Sequence, residues 1–136
     1  MNEAKMFTPK EANRTLPLVR RIVQDIQETG QKLRQTVAEL GREAEGDPGV
    51  QKLMAELEDL YGELDRVGCF YQDPNFDMGL VDFPAVIEGE EVLLCWRSDE
   101  PEVAHYHGRS AGYAGRKPIP EAYLDQKPTL RGKEEI

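Results

Sequence analysis

Two runs of apolar residues at helical spacing organise the first half of the chain. Val19, Ile22, Ile26, Thr29 or Gly30, Leu33, Val37, Leu40 and Ala44 succeed one another in steps of three and four, and so do Val50, Leu53, Leu57, Leu60, Leu64 and Val67. That spacing lays an apolar stripe along one face of a helix, so two amphipathic helices of coiled-coil type are predicted. Thr8, Pro9, Lys10 and Glu11 spell a capping box with proline at the first helical position. Pro17 removes a backbone donor, which predicts a short first helix to about Asn13, a kink or break, and a long helix restarting near Leu16. Gly46, Asp47 and Pro48 form the turn and the next helix start, and Gly68 the stop.

Two such stripes joined by a short turn predict a long antiparallel helical hairpin over residues 8–68. Residues 17–45 would span about 43 Å and residues 48–67 about 30 Å at the helical rise. The excess turns around Val19, Ile22 and Val23 therefore need another apolar surface, either a sheet or a second subunit.

Beyond Gly68 the period shortens. Residues 71–79 are rich in turn formers. Val81, Phe83, Ala85 and Ile87 then alternate with Asp82, Pro84, Val86 and Glu88, the signature of a strand whose Pro84 marks an edge or a bulge. Glu88, Gly89 and Glu90 turn the chain into a second strand, where Val92, Leu94 and Trp96 alternate with Leu93, Cys95 and Arg97. Residues 103–107 make a third. The predicted architecture is α+β: the helical hairpin packed with a small three-stranded antiparallel β-meander, in a single domain of 136 residues. Residues 79–119 hold the meander and a Gly/Arg loop, and residues 125–136 are expected to be a flexible tail.

Charge narrows the range of partners. The net charge is -9 and the pI near 4.8, which opposes the phosphate attraction behind most nucleic-acid affinity and opposes anionic membrane surfaces. Residues 1–42 carry eight Lys/Arg against five Asp/Glu, residues 43–102 three against seventeen, and residues 103–136 six against four. An acidic middle between basic flanks favours folding back on both. The first seven residues lack an apolar targeting pattern, and Cys69 and Cys95 are the only cysteines. Cytoplasmic residence with free thiols is expected.

The side chains that bind metals or move protons concentrate on the strands. His105 and His107, two apart, present both imidazoles on one side of a sheet, with Glu100 at the preceding turn and Asp82 and Cys95 on the neighbouring strands. Imidazoles with carboxylates are the ligand set of zinc or non-haem iron, and equally of a metal-free acid/base pair or of plain surface histidines. Cys95, between Leu94 and Trp96, reads as a buried thiol. Trp96 reads as a core anchor that could, with Tyr106 and Tyr113, wall a ligand pocket. Residues 108–117 hold three cations and no acid, and Arg116 there could clamp a small anionic ligand.

Phe7-Thr8-x-x-Glu11-Ala12-Asn13-x-x-Leu16-Pro17, Gly79-Leu80-Val81-Asp82-Phe83-Pro84-Ala85, Cys95-Trp96, Glu100, His107 and Gly112-Tyr113-x-Gly115-Arg116 together resemble the small bacterial family known as domain of unknown function 2203, over residues 6–119. The resemblance implies no activity, because the family has none established. The family's pattern resembles Gly-Glu followed by Trp-His-Glu, where this chain has Asp99-Glu100 and Tyr106-His107-Gly108. The acid after His107 is missing. By that match Asp82, Cys95 and Arg116 gain weight as site residues, and His105 loses some.

Two functional expectations result. In one, Asp82, Glu100, His107 and, optionally, His105 hold a divalent zinc or iron ion, or Arg116 with Trp96 and Tyr113 holds a small anion. In the other, the chain is a non-catalytic interaction module that forms a homodimer through the long helix near Ile22.

Overall fold

In a computed structural model that describes residues 5–73 and 75–125, the chain combines a long helix with an antiparallel sheet. The order is α1 (Pro9–Leu40), a 3-10 turn (Gly41–Ala44), α2 (Pro48–Val67), β1 (Phe70–Tyr71), β2 (Leu80–Ile87), β3 (Glu90–Arg97), β4 (His105–Gly108), a second 3-10 turn (Tyr113–Gly115), β5 (Lys117–Pro118) and α3 (Glu121–Leu124). The tail expected from residue 125 onward lies, past Asp125, outside the described residues. No described helix is long and apolar enough to cross a membrane.

The capping box forms as written in the sequence. The Glu11 amide donates to Thr8 Oγ1 at 3.1 Å, and the Thr8 amide donates to Glu11 Oε1 at 3.0 Å. The break expected at Pro17 is absent, since α1 runs through it without interruption. Pro17 lies on the exposed side of the helix, where a carbonyl without its amide donor is open to solvent. Asn13, one turn earlier, is tied down: its side chain accepts the Val103 amide at 2.6 Å and donates to the Val103 carbonyl at 3.2 Å. One amide side chain thus does for Val103 what a neighbouring strand would do, and β4 begins at His105 rather than at Val103.

The sheet has five strands in the order β1-β2-β3-β4-β5, not the three expected from periodicity. The additions, β1 and β5, are two residues each, too short to show an alternation. Glu88 and Gly89 form a two-residue hairpin turn, both at positive φ (54° and 81°). Pro84 belongs to β2, and its carbonyl accepts the Phe7 amide at 2.7 Å on the side away from β3. Its missing N–H therefore costs the β2–β3 ladder nothing.

One face of the sheet closes the core. Val81, Phe83, Ala85, Ile87, Val92, Leu94 and Trp96 pack in one cluster with Val19, Ile22, Val23 and Ile26 of α1 and Leu57 and Leu64 of α2. The excess turns of α1 are therefore covered by this chain's own sheet, and the apolar surface that suggested a dimer at Ile22 is buried. The loop after β1 docks on the middle of α1: Gln31 Nε2 donates to the Phe76 carbonyl at 2.8 Å and Arg34 Nη1 to the Asn75 carbonyl at 2.7 Å. Phe76 sits over Gly30, and a methyl group at Gly30 would land on the Phe76 ring. Gly30→Ala gains up to about 1 kcal/mol of helix propensity, yet overpacking costs about 1–3 kcal/mol. A net loss of stability is expected, read as a lower urea midpoint at unchanged slope.

Candidate metal centre

The two-residue turn at Glu88 and Gly89 pairs Ile87 with Glu90, and the ladder then sets Asp82 opposite Cys95. Cys95 lies opposite His105 in turn, so Phe70, Asp82, Cys95, His105 and Pro118 form one row across all five strands. Directly paired residues share a face and neighbours along a strand alternate. The row therefore occupies the face opposite Trp96 and Phe83. His107, two residues along β4 and opposite Leu93, joins that face.

Asp82, Cys95 and His107 converge there, with one ligand atom from each within 4.8 Å of the others. They are 3%, 1% and 3% exposed, so their polar atoms need partners within the protein. His107 Nδ1 lies 2.8 Å from the Gly108 carbonyl and Nε2 lies 3.3 Å from Asp82 Oδ1. A carbonyl only accepts, so Nδ1 carries a proton and donates it to Gly108. In the neutral imidazole that leaves the Nε2 lone pair facing a carboxylate oxygen. Lone pair against lone pair is repulsive, so a cation belongs between them, either a proton or a metal ion.

Burial pushes the Asp82 carboxyl upward, against the charge and hydrogen bond of a protonated His107 and the hydrogen bonds of Gln72 and Cys95, all of which favour its charged form. Burial, with the Asp82 charge beside it, pushes the Cys95 thiol up to about 12. Without a metal, Cys95 stays a thiol, its charged form disfavoured by burial and by the Asp82 charge. A metal would take the thiolate, the carboxylate and the neutral imidazole and displace protons in doing so.

The other expected ligands lie in a neighbouring cluster. Glu100 accepts the Arg97 amide at 2.8 Å, and Arg116 Nη2 donates to both its oxygens at 2.9 and 2.8 Å. Arg116 Nη2 also reaches the Cys95 carbonyl at 3.3 Å, which sets this cluster beside the triad. His105 Nδ1 lies 3.6 Å from Glu100 Oε2, beyond hydrogen-bond range. Among the described residues that nitrogen and Arg116 Nε are the buried side-chain atoms without a partner. Tyr113 packs under the Arg116 guanidinium, 5.0 Å from ring centroid to Cζ, and bonds to Arg97 through its hydroxyl. The guanidinium expected to clamp an anion is thus engaged by Glu100. Trp96, expected to help wall a pocket, lies in the core on the opposite face, where its Nε1 donates to the Glu100 carbonyl at 3.0 Å and Arg20 covers its ring at 5.0 Å.

Of the four expected metal ligands the structure brings together Asp82 and His107 and separates Glu100 and His105 into the second cluster. Cys95, read from the sequence as a buried thiol, is buried and stands with Asp82 and His107. The signal was present in the chain: a two-residue turn at Glu88 and Gly89 fixes the register, and counting back from it puts Cys95 opposite Asp82. Gln72, whose Nε2 donates to Asp82 Oδ2 at 3.1 Å, had no such signal.

Comparison with known families gives one result. A family model described as an uncharacterized conserved protein (DUF2203) matches residues 5–119. Neither a curated protein nor a solved structure matches the chain.

Proposed function

The chain belongs to that uncharacterized family (DUF2203), and we propose that its function is to bind a divalent metal ion at Asp82, Cys95 and His107, on a sheet carried by a helical hairpin. The observation that carries this reading is the His107 ring. Its Nδ1–H is spent on the Gly108 carbonyl at 2.8 Å, while Nε2 faces a buried carboxylate and a buried thiol. Imidazole oriented by a carbonyl at its far nitrogen is the usual arrangement of a metal-ligating histidine. One nitrogen, one oxygen and one sulfur donor suit a borderline-soft ion, zinc first and iron second, over magnesium or calcium, which take oxygen. Four donors complete a tetrahedral site, so three protein ligands leave one position to water or a small ligand.

Zinc titration of metal-stripped protein, with elemental analysis of the protein as purified, tests this. One equivalent is expected to bind. Asp82→Ala, Cys95→Ala and His107→Ala each lower affinity by more than about 100-fold, the upper end of what loss of a merely supporting residue costs. Glu100→Ala and His105→Ala leave it within a few-fold. Absence of saturable binding in the parent protein, or an equal loss in Glu100→Ala, contradicts the assignment.

A further inference from the structure

A buried site needs a way in, and the hydrogen bonds around the triad single out one. Among the described residues, Gln72 is the one side chain from outside the triad that hydrogen-bonds to a triad side chain, and Gln72 is itself exposed. It follows directly on β1, a two-residue edge strand, and its backbone extends the pairing with β2 through a 2.8 Å bond from the Gln72 amide to the Leu80 carbonyl. The side chain reaches over Asp82 and donates to Oδ2, whereas Oδ1 faces His107. The two carboxylate oxygens are thus assigned to different neighbours, one to the solvent side and one to the triad.

On that basis, and resting on the metal reading above, we infer that Gln72 is the positioning residue and removable cover of the centre. Its amide holds Asp82 so that a single oxygen, Oδ1, is presented to the ion. Its exposed side chain also lies between Asp82 Oδ2 and solvent. Metal exchange then requires only that one exposed side chain swing away on the edge strand, with no opening of the core. Exposed side chains change rotamer in picoseconds to nanoseconds, whereas local unfolding takes microseconds or longer. The centre would therefore exchange its ion far faster than its burial suggests. The chemical class of the incoming species follows: a hydrated divalent cation, or a ligand small enough to pass one displaced glutamine.

The two roles separate by substitution. Gln72→Met keeps the length and bulk but loses the donor, and Gln72→Ala loses both. Zinc affinity measured by competition with a chromogenic chelator is expected to fall about tenfold in both variants, the lower end for loss of a residue that supports a ligand. Zinc release measured by a chelator chase is expected to be about tenfold faster again in Gln72→Ala than in Gln72→Met, with association accelerated by a similar factor. Removing a cover speeds both directions and leaves the equilibrium alone. Cobalt-loaded Gln72→Met should show shifted ligand-field bands, since the Asp82 carboxylate is no longer held through Oδ2. Thermal melts of the metal-free variants should match the parent, because Gln72 is exposed. Parent protein that binds zinc through Asp82 and His107, while both variants keep its affinity and release rate, overturns the inference and leaves the centre intact. Parent protein that binds no zinc overturns both.

Discussion

A His107→Leu variant is expected to lose about 3–5 kcal/mol of folding stability, because it strips the partner from a carboxyl group that stays buried. His107 and Asp82 side chains are each 4% exposed and 3.3 Å apart, so without the imidazole the buried Asp82 carboxyl keeps, of its partners Gln72 and His107, only the neutral Gln72 amide. The double variant Asp82→Leu/His107→Leu is expected to recover most of that loss, since well-packed apolar residues replace a buried pair at little net cost. The two measurements, by urea denaturation of metal-free protein, weigh the pair without its ion. Zinc at a thousandfold excess over its dissociation constant should then add about 4 kcal/mol to the parent and nothing to either variant. A single variant within 1 kcal/mol of the parent would show that Asp82 needs no partner, and the cation argument built on His107 would fall with it.

Trp96→Ala carries the other large effect, about 3–5 kcal/mol, the usual cost of emptying a buried aromatic site. Its consequences should reach the Glu100 cluster. Trp96 Nε1 donates to the Glu100 carbonyl, and the Glu100 amide donates to the Arg97 carbonyl at 2.8 Å, so the ring pins the turn that presents the Glu100 carboxylate to Arg116. Trp96→Phe fills most of the volume and loses that bond alone, with an expected cost of about 1–3 kcal/mol for the carbonyl left unpaired. Both costs are read from denaturation midpoints. If Trp96→Phe proved as damaging as Trp96→Ala, the hydrogen bond would outweigh the packing.

The helices were legible because their signals are local and redundant. The Thr8 capping box, the Asp47 cap and the left-handed Gly68 stop each stand within four residues of what they control. The two long strands were legible for the same reason, as runs in which Val81, Phe83, Ala85 and Ile87, or Val92, Leu94 and Trp96, recur at every second position and are buried. What periodicity could not supply was long-range. The edge strands β1 and β5 exist only because β2 and β4 offer them partners, and Asn13 defines the start of β4 from 90 residues away. Pro17 was given too much weight, since a helix whose proline faces solvent tolerates the missing donor. At the site, residue type grouped Glu100 with Asp82 and His107 and ranked it above Cys95, because a carboxylate near a histidine in sequence looks more reactive than a thiol between apolar neighbours. The register places them differently. Glu100 is spent on Arg116, and Cys95 stands directly across from Asp82.

The grip of Asn13 on Val103 also sets a timetable. A ribosome adding about 5–20 residues per second releases Asn13 roughly 5–20 s before the backbone it must hold. Until β2 and β3 follow, Val19, Ile22, Val23 and Ile26, buried in the finished fold, have no strands to cover them. Only α2, which emerges first, can shield part of the stripe. The strands that carry Asp82, Cys95 and His107 arrive last and close over a helix already made. The nascent chain is therefore most exposed to aggregation and to chaperones just before its site comes into being.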